Sequence, residues 1–109
     1  MNTVTFQRDS NGLIKAFRSA GHVGYGDKGE DIVCAGISAL VINSVNSIER
    51  LTESDIVVTS DEEEGVIDCV ISDYESDDVQ LLLSSLNLGV TQIQKRYGEK
   101  FIRIEMKEV

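Results

Sequence analysis

The sequence predicts a two-layer α/β sandwich of the α+β kind, a mixed sheet of about five strands with two helices on one face, in the order ββαββαβ. Three observations carry this. Two long stretches repeat apolar residues at three- and four-residue steps, the period of a half-buried helix. Shorter stretches between them alternate or are rich in β-branched residues, as strands are. Turn residues separate the elements. The chain of 109 residues suits one domain, since domains commonly run about 100–150 residues, so residues 1–109 are expected to fold as a single unit.

"TVTFQR" alternates, with Val4 and Phe6 on one face, and "DSNG" supplies turn residues before a second extended run, "LIKAFRSAG". This is an opening hairpin. Val33, Ile37, Leu40, Val41, Val45, Ile48 and Leu51 then mark one stripe of a long helix expected to start near Asp31. "SDIVVTS" and "GVIDCVIS" flank the charged turn "DEEEG" and make a second hairpin. Val79, Leu82, Leu83, Leu86, Val90, Ile93 and Tyr97 form the stripe of a second helix, with Ser76 and Asp77 placed to cap its start and Gly98 to end it. "FIRIEMK" closes the chain as a strand, Ile102, Ile104 and Met106 alternating with Arg103 and Glu105.

Hydrophobic residues make up 41% and charged residues 27%, ordinary values for a globular chain. No run approaches the roughly 20 continuous apolar residues of a membrane span, and "MNTVTFQRDS" lacks the basic start and apolar stretch of an export signal. A cytoplasmic protein without a membrane partner is expected. Ten Lys and Arg against nineteen Asp and Glu give a formal charge of −9. Such a chain repels a nucleic-acid backbone and attracts basic polypeptides or cations.

The two cysteines differ in setting. Cys69 shares a strand face with Ile67 and Ile71 and is expected to be a buried, inert thiol. With Asp31 as N-cap, Cys34 becomes the third residue of a helix, where unpaired N–H groups and the helix dipole favour thiolate over thiol. The same position also suits a cysteine that only packs. His22 is the chain's one histidine. Cysteine with histidine is the minimal nucleophile and base pair, whereas zinc needs more ligands than His22, Cys34 and their acidic neighbours offer. No metal and no cofactor is expected.

Gly21, Gly24, Gly26 and Gly29 bracket this histidine and suit a lid whose backbone approaches a ligand closely. Asp31, Cys34 and Ser38 project from one side of the first helical turns. Asp31 either caps the helix or orients His22, and Ser38 either bonds the preceding turn or contacts substrate.

"AGHVGYGDKGEDIVCAGISAL", residues 20 to 40, resembles the signature of the bacterial ribosomal-processing cysteine protease family, and the element order fits that family along the whole chain. Val23 and Gly36 stand where the motif usually has alanine. The resemblance implies that Cys34 is the nucleophile and His22 the general base, and that the protein is a homodimer. It also implies the substrate: the N-terminal extension of a large-subunit ribosomal protein, number twenty-seven, cut after an aromatic stretch before or during ribosome assembly. The other readings are a non-catalytic, ribosome-associated peptide-binding protein, and a thiol-transfer protein, which the lack of a C-x-x-C pair disfavours.

Overall fold

The computed structural model describes residues 2–21 and 28–109. In chain order the elements are β1 (Asn2–Arg8), β2 (Ile14–Ala20), α1 (Lys28–Leu51), β3 (Ile56–Asp61), β4 (Val66–Ile71), α2 (Asp77–Tyr97) and β5 (Ile102–Glu108). The strands form one sheet in the order β3-β4-β2-β1-β5. Among the described residues only β1 and β5 run parallel; the other neighbours are antiparallel. This is the mixed five-stranded sheet with two helices that the patterning predicts.

Local chemistry explains the turns. Asp9 ends β1 because its Oδ1 accepts the backbone N–H groups of Asn11 and Leu13, at 2.8 and 3.0 Å, which folds the chain back into β2. In the second hairpin Asp61 Oδ1 accepts the N–H of Glu64 at 3.1 Å, and Gly65 leaves the turn at φ 65°, a conformation that costs glycine little.

One sheet face is apolar. Val4 and Phe6 of β1, Phe17 of β2, Cys69 and Ile71 of β4 and Ile102 of β5 are all buried there. Phe6 and Phe17 are cross-strand partners with ring centroids 6.4 Å apart at 46°, a tilted pairing that adds to area burial. From α1, Val33, Ile37, Val41 and Ile48 enter this layer, and from α2, Val79, Leu83, Leu86 and Val90. Leu51, expected in the buried stripe, is 74% exposed because it lies on the last turn of α1, beyond the packed region. By length and composition alone Glu30–Leu51 is apolar enough to cross a membrane, with mean hydropathy 1.5. Here its apolar stripe is instead spent on the shared core.

The helices approach closely where side chains are missing. A Cβ at Gly36 would stand 3.3 Å from Ile93 Cδ1, and one at Gly89 would stand 2.8 Å from Leu40 Cδ1. Gln80 pins α2 to the sheet, its Nε2 donating to the carbonyls of Ile14 and Tyr74, both at 2.7 Å, while its Oε1 accepts the Ile14 N–H at 3.1 Å. Ser76 occupies the N-cap of α2 as expected, but its side chain makes no capping bond. Gly98 ends the helix, donating to the Gln94 carbonyl at 2.8 Å.

Asn2 is buried at the edge of this layer, donating through Nδ2 to the Phe101 carbonyl at 3.2 Å. A Cβ at Gly21 would collide with Asn2 Oδ1 and lie 2.9 Å from its Cγ. Gly21→Ala is therefore expected to lower stability by about 1–3 kcal/mol, the usual cost of overpacking, measured by urea unfolding. Cys69 is fully buried, and burial pushes its thiol up to about 11. The unfolded thiol ionises first as pH rises, so stability from this group is intact below the ordinary thiol range and is lost between about pH 9 and 11. In Cys69→Ala, unfolding free energy should fall less steeply over that window than in the parent chain.

Candidate active site

The placement of Cys34 follows from the rotation of α1. Val33 and Ile37 are both 1% exposed and face the core, and Cys34, on the flank of that stripe, is 3% exposed. The helix begins at Lys28, three residues before the expected start, and Asp31 is not its N-cap. Glu30 and Asp31 both lie in the first turn, where carboxylates complement the helix dipole. An acidic residue suits the cap and the first turn alike, which is why the pattern alone misplaces the boundary.

Two corrections follow for the thiol. Cys34 is two turns into α1, so its N–H falls inside the helical ladder and not among the unpaired amides of the first turn. Among the described residues, its electrostatics also run against a preformed thiolate. Burial is the largest influence and raises the Cys34 pKa; a hydrogen bond with the Ser38 side chain lowers it; the nearby charges of Asp31 and Glu30 raise it, and the net direction is upward. Asp31 thus opposes ionisation of Cys34, and Ser38, one turn along the same face, favours it.

Cys34 opens onto a groove of about 610 Å3 between α1 and the β3–β4 hairpin. Ile37, Ser38 and Ile42 line it from α1, and Ser60, Asp61 and Ile67 from the hairpin. Ile42 is 51% exposed, so one wall presents apolar surface to solvent. Asn2 of β1, Ser19 of β2 and Gly21, just beyond the end of β2, also contribute. Reading outward from the cysteine singled out none of the hairpin residues. The "DEEEG" turn, unusual in its concentration of charge, was the available signal.

The expected glycine lid is only partly within view. Gly21 is held by close packing and by its N–H, which donates to the Gly65 carbonyl at 3.0 Å. Gly29 belongs to the first turn of α1 and not to a loop. Residues His22, Gly24 and Gly26 lie outside the described residues. Among the sequence-derived candidates, the structure therefore brings Gly21, Cys34 and Ser38 to one groove and sets Asp31 and Gly29 on the helix leading to it.

This fold has counterparts among known proteins. The model of the family described as cysteine protease Prp matches residues 1–102. The ribosomal processing cysteine protease Prp of Staphylococcus aureus is 33% identical over 107 residues, covering 98% of this chain and 100% of that protein. A crystal structure of the S. aureus essential ribosomal processing protease Prp in complex with a substrate peptide superposes with a TM-score of 0.91 at 31% identity, covering 98% of this chain and 100% of that one. A second S. aureus structure, with a covalently linked product peptide, gives 0.87 at 32% identity over the same shares. A fold shared along its whole length, with the cysteine of the motif seated in a groove, leads to one assignment: this chain belongs to the cysteine protease Prp family.

Proposed function

We propose that the protein is a cysteine endopeptidase that removes the N-terminal extension of large-subunit ribosomal protein twenty-seven in the cytoplasm, acting as a homodimer. The observation that carries this is the position of Cys34: a nearly buried sulfur that opens onto a partly apolar groove, in a fold whose S. aureus counterparts hold a substrate peptide and a covalently linked product peptide.

The raised pKa of Cys34 shapes the mechanism. A thiol held protonated is a poor nucleophile, so a base must remove its proton as the substrate carbonyl arrives. His22 takes that role. Sulfur attacks the scissile carbonyl carbon, the π electrons move to oxygen, and the tetrahedral intermediate collapses as His22 returns the proton to the departing amine. Water then attacks the thioester, with His22 again accepting a proton, and the acid product leaves with the thiol restored. Ser38 supports the ionised sulfur through its hydrogen bond. Closure of substrate over the groove excludes water and strengthens each of these interactions.

A raised thiol pKa restrains idle chemistry before substrate binds. It also limits cleavage to peptides that complete the site, a form of induced fit.

Cys34→Ala should lower cleavage of a peptide spanning the ribosomal extension by at least about a thousandfold, while Cys69→Ala keeps it, as read from product masses. Binding of the peptide without any product from the parent chain would instead favour a peptide-binding protein. Without peptide, alkylation of Cys34 by iodoacetamide should rise with pH along a curve displaced above that of an ordinary thiol, whose pKa is about 8.5. Ser38→Ala removes an influence that lowers the pKa, so its curve should lie higher still, with slower alkylation at neutral pH.

A further inference from the structure

The two edges of the sheet are built differently. Along β5 every second residue is charged, Arg103, Glu105 and Lys107, and an ion pair joins Lys107 Nζ to Glu105 Oε2 at 3.6 Å. Such a row discourages another strand from pairing. The opposite edge, β3, reads Ile-Val-Val-Thr-Ser-Asp, with its one charge at the end. Val57 is 64% exposed and Val58 41%. There is no proline, and among the described residues no strand lies beyond it.

The pairing with β4 determines which backbone groups are free. The Ser72 N–H donates to the Asp55 carbonyl at 2.9 Å, which makes 55 and 72 a hydrogen-bonded pair of the antiparallel ladder. Val57 with Val70 and Thr59 with Asp68 continue that series. Ile56, Val58 and Ser60 therefore turn their N–H and C=O groups to the open edge. Ser60 and the adjoining Asp61 also line the groove that holds Cys34.

Charge decides what can occupy this edge. Exposed Glu53 and Asp55 precede β3, exposed Asp61 ends it, and exposed Glu62, Glu63 and Glu64 follow it. Antiparallel pairing of two β3 edges about their middle sets the acids beyond one end against Glu53 and Asp55 of the other copy. Parallel pairing sets each acid beside its own counterpart. Like charges placed opposite one another destabilise a strand pair, so the edge is open to a strand but closed to itself.

We infer that the outer edge of β3 is a docking strand for the substrate: an extended segment with basic side chains near its ends adds to Ile56, Val58 and Ser60 by backbone hydrogen bonds and leads into the groove at Cys34. This rests on the peptidase reading above for the identity of the segment. Strand addition draws affinity from main-chain bonds and specificity from flanking side chains, and the acids at both ends of β3 select basic flanks.

The test uses the full chain with Cys34→Ala, titrated by fluorescence anisotropy with a labelled synthetic peptide spanning the ribosomal extension and running into the mature protein. A set of peptides, each N-methylated at one amide, reads the backbone contacts. Affinity should fall at least tenfold at alternate positions and little at those between. Val58→Pro removes an N–H that faces the open edge and leaves the β4 ladder intact; it should weaken binding at least tenfold and erase the alternation along the segment that meets β3. Replacing Asp61, Glu62 and Glu63 by their amides should weaken binding and flatten its salt dependence.

Uniform N-methylation effects, or unchanged affinity in a folded Val58→Pro chain, overturn the docking strand even when the parent chain cleaves the peptide. If Val58→Pro does not fold, the N-methyl series decides alone. A dimer that Val58→Pro converts to monomers overturns the inference by making the edge a self-interface. Absence of cleavage by the parent chain marks failure of the peptidase reading, and absence of peptide binding by Cys34→Ala overturns the docking strand.

Discussion

Burial of the α1 stripe against the sheet is the constraint on which the rest of the molecule depends. Val33, Ile37, Val41 and Ile48 are each at most 1% exposed, and such side chains contribute about 1.5–3 kcal/mol apiece on leaving water. Together they fix the rotation of the helix about its axis. Cys34 and Ser38, each next in sequence to a core residue of the stripe, are thereby turned toward the β3–β4 hairpin and share the groove. The chemistry of the site inherits its geometry from packing that takes no part in it.

The same packing sets the reactivity of the sulfur. A cysteine on the flank of a core stripe is desolvated, and desolvation raises its pKa before any neighbouring charge is considered. Glu30 and Asp31 stabilise the start of α1 through the dipole, yet they disfavour a second negative charge on the thiol. Helix stability and thiolate stability therefore pull against each other at this point. Ser38 recovers part of the loss from one turn away, and proton removal by a base at the moment of attack accounts for the remainder in the proposed mechanism.

The fold was legible because its signals are periodic. Val79, Leu83, Leu86 and Val90 announce α2, and Val4, Phe6 and Phe17 announce the first hairpin, through spacing that only one face of each element can satisfy. Gly98 at the end of α2 was equally plain. The start of α1 was not, since Lys28, Gly29 and Glu30 carry no apolar period and nothing in them forbids a helix. That difference of three residues removed the Cys34 amide from the unpaired first turn. The site was legible only along the chain: Cys34 and Ser38 share a helix, but Ser60, Asp61 and Ile67 reach the groove through strand pairing. A period-two strand pattern shows that a face is buried without showing which helix residue stands above it.

Placing one wall of the groove on an edge strand has a physical consequence for selectivity. A peptide held only in a pocket of apolar and small polar side chains is discriminated by shape, where a single methylene is worth about 1–3 kcal/mol. Backbone pairing along β3 would supply affinity that does not depend on side chains, and the acids flanking the strand would add a charge requirement at a distance from the sulfur. Ser60 and Asp61 belong to both the strand and the groove, so a segment paired with β3 delivers its next residues toward Cys34 in extended form, the conformation in which a scissile carbonyl is open to attack. Coupling the two through one strand would reserve Cys34, whose thiol pKa burial raises, for chains that satisfy pairing, charge and fit together.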